Sequence, residues 1–156
     1  MAVKLNAPTS ELVKIDVERH PLFARLWADP RIRRVGAADF EAFRATPGIA
    51  VLCIADDPVM FKETIDMAAI APELMALFED ALAAGGFTDP AEGRAIARGL
   101  GVNRLPAVAL FRSGETLGVI EGLQSWADYE RKLVEILLSG APRRRTIRIA
   151  AASAEA

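Results

Sequence analysis

Residues 101–122 read GVNRLPAVALFRSGETLGVIEG, and this stretch contains the strongest local indication of the fold. Two apolar runs of strand length, 107–111 and 117–120, lie on either side of Ser113-Gly114. A short polar link with glycine between two such runs is typical of a β-hairpin. The stretch therefore predicts two antiparallel strands in the last third of the chain.

A helix is predicted directly after the hairpin, because Ser125 is a favourable capping residue and Asp128 stands three residues later. Gly140 and Pro142 are expected to end this helix. Its apolar residues recur at helical spacing: Trp126, Tyr129, Leu133, Ile136 and Leu137. The chain thus divides into an extended or partly ordered arm over 1–19, a domain over 20–140 and an Arg- and Ala-rich tail over 141–156, which we expect to be disordered.

Upstream of the hairpin, residues 49–55 form an uninterrupted apolar run, which predicts a strand covered on both faces. A long helix is expected over about 62–79, with a kink at Pro72 because proline lacks the backbone donor that a helix interior needs. Residues 81–87 have the length of a strand, although alanine and glycine are weak strand formers.

Two further elements complete the predicted order. Residues 31–35 suit only the solvated margin of a sheet, because three of them are arginines. Asp89-Pro90 favours the start of a helix that runs to Arg98 and ends at Gly99 or Gly101. The alternation of strands and helices indicates an α/β sandwich, with parallel strands first and the hairpin last.

The chain has one cysteine and one histidine, so neither an internal disulfide nor a metal site is expected. Cys53 falls within the apolar run 49–55, where cysteine behaves as a small buried hydrophobe. His20 directly precedes Pro21 at a predicted helix start, which favours a capping or surface role over catalysis.

Residues 1–142 carry 15 Lys and Arg against 20 Asp and Glu, and this acidic balance disfavours nucleic acid as a partner. Stable membrane insertion is not expected, because no apolar run approaches the roughly 20 residues that span a bilayer. The first 20 residues alternate apolar and charged side chains, unlike a secretory signal, so we expect a cytoplasmic protein.

Four motifs resemble thioredoxin. Ile70-Ala71-Pro72 resembles the Ile-Ala-Pro of the active-site helix, and residues 101–106 resemble the segment that leads into the cis-proline. Residues 110–115 resemble the Leu-Phe-Lys-Asn-Gly-Glu that follows, and Gly122 stands at the family's glycine spacing. The resemblance implies a thioredoxin-like three-layer α/β/α sandwich with a central mixed sheet, a C-terminal β-hairpin plus helix, and a cis peptide at Pro106.

The departure from thioredoxin lies at its two redox cysteines. Counting back from Pro72, the two positions are occupied by Thr64 and Met67. Disulfide exchange needs one thiolate to attack and a second thiol to resolve the mixed disulfide, and neither residue supplies one. We therefore expect no thioredoxin-type redox activity and no enzyme activity.

Two segments resemble one dithiol-free family in particular. Residues 117–126 resemble the Gly-Val-(Leu/Ile)-x-x-Ile-x-x-Trp stretch of the HyaE/HupG hydrogenase accessory proteins, and residues 20–27 resemble their N-terminal Pro-Phe-x-x-Leu-Trp helix. The resemblance implies a cytoplasmic, non-catalytic chaperone for nickel–iron hydrogenase maturation, without a cofactor. Its implied partner is the hydrogenase small-subunit precursor, bound through the twin-arginine signal peptide before export, with other hydrogenase accessory proteins as further partners.

The resemblance also suggests where a peptide would bind. Leu105 and Pro106 would border a groove beside the former dithiol loop. Two peptide arginines would find carboxylates at the same place, and Met67, together with Met60 and Phe61, would form an adaptable apolar wall. The candidate acidic residues are Asp56, Asp57, Glu63 and Asp66. The alternative is that the two aspartates only turn the chain, that Glu63 and Asp66 are solvated helix positions, and that the three apolar residues belong to the core.

Two other functions remain open from the sequence. One is an enzyme, either a single-cysteine redox protein that uses Cys53 or a transferase, and a reactive thiol would have to be accessible and of low pKa. The other is a scaffold subunit of a hydrogenase maturation complex, which would use the helix around Trp27 or the acidic loop as its interface.

Overall fold

The computed structural model describes residues 16–150, and its elements alternate as the sequence predicts. The element bounds, in chain order, are α1 (Pro21–Ala28), β1 (Ile32–Val35), α2 (Phe40–Arg44), β2 (Ile49–Ile54), α3 (Glu63–Ala76), a 3₁₀ turn (Glu79–Ala81), β3 (Leu82–Thr88), α4 (Gly93–Leu100), β4 (Ala107–Arg112), β5 (Glu115–Glu121) and α5 (Trp126–Ala150).

The strands form one five-stranded mixed sheet in the order β1-β3-β2-β4-β5. β3 pairs in parallel with both β1 and β2, whereas β4 pairs antiparallel with β2 and β5. All residues of β2 are buried, as expected for the apolar run at the centre of the sheet. The arginine-rich strand β1 lies at the edge, where its charged side chains remain solvated.

Helices cover both faces of the sheet and make three layers. One apolar cluster joins α1, α3 and α5 to the sheet and includes Phe23, Met67, Leu74, Tyr129 and Leu133. The other joins α2 and α4 to the opposite face and includes Phe40, Phe43, Ile96 and Ala97. This arrangement confirms the predicted α/β/α sandwich with a central mixed sheet, ending in a hairpin and a helix.

Local contacts explain several of the predicted element ends. The hairpin turns through Ser113 (φ 48°) and Gly114 (φ 93°), the pair of positive φ angles that suits the twist of two antiparallel strands. The hydroxyl of Ser125 accepts a hydrogen bond from the amide of Asp128 (3.2 Å) and caps α5. Nδ1 of His20 accepts one from the amide of Leu22 (3.2 Å), which confirms the capping role of this histidine.

Two predicted helix bounds are wrong. α4 begins at Gly93 rather than at Pro90, because the carboxylate of Asp89 accepts the amide of Ala91 (3.1 Å) and forms a turn before the helix. Its predicted end at Gly101 (φ 74°) is confirmed. α5 continues past Gly140 and Pro142 to Ala150, so neither of these two residues ends it.

The predicted arm falls largely outside the described residues, which exclude 1–15, and the last six residues of the predicted tail, 151–156, are excluded as well. The described end of the arm is a turn, in which the carbonyl oxygen of Asp16 accepts the amides of Arg19 (3.0 Å) and His20 (2.9 Å). The backbone of residues 141–150 continues α5, and the division of the chain into arm, domain and tail stays a prediction. Within 16–150, no helix is both long and apolar enough to cross a bilayer.

Candidate functional site

The positions of the missing dithiol lie in the first turns of α3, and both are packed against the rest of the protein. Thr64 is 1% exposed and Met67 is 0% exposed. The hydroxyl of Thr64 donates a hydrogen bond to the carbonyl oxygen of Asp56 (2.8 Å), which ties α3 to the end of β2. Met67 therefore belongs to the core and not to a surface wall, which corrects the expectation from the sequence.

Cys53 lies within β2 and is completely buried, as the sequence predicts. Burial disfavours the charged thiolate and raises the pKa of the Cys53 thiol to about 12. A nucleophilic cysteine needs the opposite environment, with solvent access and a lowered pKa. The thiol therefore has neither property that a single-cysteine redox enzyme requires.

The two aspartates after β2 organise the loop that leads to α3. One carboxylate oxygen of Asp56 lies 2.6 Å from Nε of Arg94, and the other accepts the amide of Asp57 (2.7 Å). The carboxylate of Asp57 accepts the amide of Val59 (2.9 Å) but remains exposed. Asp56 is thus already engaged with a guanidinium, whereas Asp57 keeps a solvent-facing carboxylate.

Glu63 and Asp66 lie in the first turn of α3 and are exposed. Among the side chains of residues 16–139, neither carboxylate makes an ion pair. Negative charge is favoured at this end of a helix, because the first backbone amides have no helical partners. Together with Asp57, these residues give the start of α3 an acidic, solvent-exposed surface.

The loop before α3 also exposes two large apolar side chains. Met60 is 72% exposed and Phe61 is 37% exposed. The guanidinium carbon of Arg94 lies 5.1 Å from the centre of the Phe61 ring, which is cation–π distance. The apolar part of the predicted wall therefore consists of Met60 and Phe61, without Met67.

Sequence reasoning missed Arg94, which stands 38 residues from Asp56. The predicted order of the strands contained a signal for this contact. β2 and β3 are parallel, so the residues that follow them emerge at the same edge of the sheet. Arg94 follows β3 in the first turn of α4, and Asp56 follows β2, so a contact between them was accessible to this reasoning.

The loop before β4 borders the same edge. The peptide bond between Leu105 and Pro106 is cis, as predicted, with Leu105 half-buried and Pro106 buried. Ala107 pairs with Ile54, so Pro106 and Ala55 leave the sheet side by side. The structure therefore brings the segment at Leu105 and Pro106 to the same edge as the loop that begins at Asp56.

A second residue missed from the sequence holds this proline loop. The carboxylate of Glu121, at the end of β5, accepts the backbone amides of Asn103 (3.0 Å) and Arg104 (2.9 Å). The backbone amide of Gly122, the residue after Glu121, donates to the carbonyl oxygen of Pro106 (2.8 Å). Both loops at this edge are thus fixed by charged residues from other elements, Arg94 for the loop after β2 and Glu121 for the loop before β4.

Sheet order, the cis proline before β4 and the helix after β2 define a thioredoxin-like fold. By the motif resemblance, Thr64 and Met67 stand at the positions of the two thioredoxin cysteines. Among solved structures, a designed protein matches 71% of this chain and 94% of its own length with a TM-score of 0.53 and 17% identity. A mutant thioredoxin from Halobacterium salinarum matches 67% of this chain and 86% of its own, with a TM-score of 0.49 and 24% identity.

The family model described as "Hydrogenase-1 expression protein HyaE" matches residues 22–129, and the chain belongs to this family. The hydrogenase expression/formation protein HoxO of Cupriavidus necator is 31% identical over 137 residues, which cover 87% of this chain and 85% of the relative. The hydrogenase expression/formation protein HupG of Rhodobacter capsulatus is 33% identical over 121 residues, covering 76% and 86%. The resemblance that the sequence motifs indicated is therefore confirmed.

Proposed function

We propose that this protein is a non-catalytic chaperone of nickel–iron hydrogenase maturation that binds the twin-arginine signal peptide of the small-subunit precursor in the cytoplasm before export. Membership of a hydrogenase expression family supports the link to hydrogenase maturation. One structural observation carries the choice of site. Exposed Met60 and Phe61 lie in the loop between the exposed Asp57 and Glu63, directly before the helix turn that contains Asp66 and the two positions aligned with a thioredoxin dithiol.

The chemistry of this surface suits an arginine-containing peptide with apolar neighbours. Carboxylates form charge-assisted hydrogen bonds with guanidinium groups that are stronger than neutral ones. Methionine adapts to side chains of different shapes, which suits a surface that must accept an extended segment. Arg94 shows how an arginine can bind to this loop, because its guanidinium already forms an ion pair with Asp56 and a cation–π contact with Phe61.

An enzymatic function has less support. The dithiol positions carry Thr64 and Met67, and both side chains are buried. The thiol of Cys53 is buried, with its pKa raised to about 12. These observations favour a binding protein over a single-cysteine redox enzyme.

A scaffold role in a maturation complex is the second candidate, and a different surface favours it. α5 and the end of α3 expose Leu77 (40%), Trp126 (39%), Val134 (54%) and Leu138 (70%). Leu77 lines two adjoining hollows of about 430 and 170 Å³, one beside Trp126 and the other beside Val134. Exposed apolar surface of this kind is typical of protein–protein contact. This α3–α5 face would serve a scaffold, while the loop after β2 would serve peptide binding.

The decisive experiment is calorimetric titration with a synthetic small-subunit signal peptide, beside a peptide in which both arginines are lysine. We expect the arginine peptide to bind more tightly, because lysine cannot form the paired hydrogen bonds of a guanidinium. Asp66→Asn should weaken binding about three- to tenfold, since it removes one charge from the surface. Asp80→Asn, in the 3₁₀ turn, is the matched control and should bind like wild type.

Absence of binding by the wild-type protein at moderate salt would refute the signal-peptide mechanism. The same titration with the whole precursor would then test the scaffold role. In that case the substitution Leu138→Glu on the α3–α5 face should abolish binding, and Asp66→Asn should leave it unchanged.

A further inference from the structure

Arg94 contacts both ends of the loop between β2 and α3. Its Nε lies 2.6 Å from the carboxylate of Asp56, where the loop begins. Its guanidinium carbon lies 5.1 Å from the ring centre of Phe61, where the loop ends. One side chain from α4 therefore contacts both ends of the loop, in addition to the hydrogen bond by which Thr64 ties the start of α3 to Asp56.

The base of Arg94 is fixed relative to the end of β2. At the neighbouring Gly93, an added Cβ would lie 1.8 Å from the carbonyl oxygen of Ala55, so only glycine allows α4 to approach this closely. The hydroxyl of Thr88 also accepts the amide of Ala55 (3.0 Å) and donates to its carbonyl oxygen (3.2 Å). Arg94 thus reaches the loop from a rigid support.

Pro58, in the middle of the loop, is buried, but the segment after it is held by local turns. The amides of Met60 (3.1 Å) and Phe61 (2.9 Å) donate to the carbonyl oxygen of Asp57, within the loop itself. The side chain of Met60 is 72% exposed and therefore makes little contact with the core. A short loop held by local turns opens more readily than one anchored by buried contacts. The contacts of Arg94 provide a link from this loop to another helix.

We propose that Arg94 is a positioning residue that holds the loop after β2 in the conformation that presents Met60 and Phe61 to the bound peptide. The proposal rests on the peptide-binding function inferred above. The guanidinium is suited to this task because it is planar, so it lies against an aromatic ring while Nε donates to a carboxylate. Lysine keeps the positive charge, but its ammonium group is not planar and cannot stack on the ring.

A positioning role predicts an effect on the loop and on binding that exceeds the effect on global stability. The side chain of Arg94 is 43% exposed, and exposed ion pairs contribute little to the stability of the whole domain. Loss of the side chain should therefore leave the thermal transition nearly unchanged. The amides of Met60 and Phe61 should nevertheless exchange with solvent faster, because the guanidinium of Arg94 no longer packs against the ring of Phe61.

The test compares wild type with Arg94→Ala, Arg94→Lys and Arg98→Ala. Arg98 lies on the same helix one turn later and is exposed, so its variant loses the same charge away from the loop. We expect Arg94→Ala to raise the exchange rates of the Met60 and Phe61 amides about tenfold and to weaken binding of the arginine signal peptide about fivefold. Arg94→Lys should fall between these values and wild type, and Arg98→Ala should match wild type in both measurements.

Hydrogen exchange separates this proposal from the proposed function, because it needs no peptide. Unchanged exchange in Arg94→Ala would overturn the positioning role, whether or not the peptide binds. Faster exchange with unchanged or tighter peptide binding would also overturn it, since the loop conformation would then not determine affinity. If wild type binds no peptide, the proposed function fails, and faster exchange in Arg94→Ala alone would still support Arg94 as the residue that holds the loop.

Discussion

Two methionines seven positions apart, Met60 and Met67, have opposite environments. Met60, in the loop after β2, is 72% exposed, whereas Met67, in the second turn of α3, is 0% exposed. Chemically the two side chains are the same, so the difference comes from the backbone that carries them. The residues at the positions aligned with the thioredoxin dithiol are part of the core, and the loop before them supplies the accessible surface.

The reason for this difference is the direction of α3. Its buried residues recur at helical spacing on the side that faces the sheet, namely Thr64, Met67, Ala68, Ala71, Leu74 and Met75. Glu63, Asp66 and Glu73 fall on the other side and are exposed. The loop before the helix has no such periodicity, and local turns direct Met60 outward. The comparison shows that the helical period of α3, and not the type of side chain, determines which residues of this region reach solvent.

The largest expected effect concerns the thiol below this segment. With its pKa raised to about 12, Cys53 in the native protein should react with iodoacetamide at pH 8 at least about a thousandfold more slowly than in denaturant. Mass spectrometry after timed quenching measures both rates. A matched control, the double variant Cys53→Ser/Met60→Cys, places the one thiol in the exposed loop and should react at an ordinary rate without denaturant. Rapid native labelling of Cys53 would reopen the redox-enzyme hypothesis.

The second-largest expected effect is a difference in stability between variants of the two methionines. Met67→Ala should lower the free energy of unfolding by about 2–4 kcal/mol, because it leaves a cavity in the core. Met60→Ala should change the same quantity by less than about 0.5 kcal/mol, because the side chain is exposed. Urea unfolding followed by circular dichroism measures both values. Equal destabilisation by the two variants would contradict the contrast in burial.

A smaller loss of stability is expected from a change at Thr64, where α3 is tied to the loop after β2. Thr64→Val keeps the volume of the side chain but removes the hydroxyl that donates to the carbonyl oxygen of Asp56. Since that carbonyl group would lose this partner, we expect a loss of about 1–2 kcal/mol in the free energy of unfolding. The same urea titration detects it. A variant as stable as wild type would show that the bond does not hold α3 to the end of β2.

Local patterns were enough to predict most elements of the fold. The apolar run of β2 stands at the centre of the sheet, and the turn at Ser113-Gly114 joins two antiparallel strands. The burial of Cys53 and the cap at His20 followed from their immediate neighbours and are confirmed. In each case the deciding residues lie within a few positions of one another, where periodicity and capping act.

The candidate site was only partly predictable, because local patterns do not show depth in the core or contacts between distant residues. Asp57, Glu63 and Asp66 stay predictions as peptide contacts, although their exposure is compatible with that role. Met67 was misplaced because its spacing from Pro72 identified the old dithiol position but not its depth in the core. Arg94 was missed because its partner, Asp56, lies 38 residues away in the chain.

By itself, the sequence determined the family, the order of the elements and the absence of a dithiol, because motifs and periodicity are properties of neighbouring residues. Only the tertiary structure decided which side chains of the former redox segment reach solvent. It also decided that Arg94 and Glu121 fix the two loops at that edge. The contact of Arg94 depends on how the parallel strands β2 and β3 and their following helices pack, and the contact of Glu121 depends on the antiparallel pairing of β4 and β5. Packing of this kind places distant residues together and neighbouring residues in opposite environments.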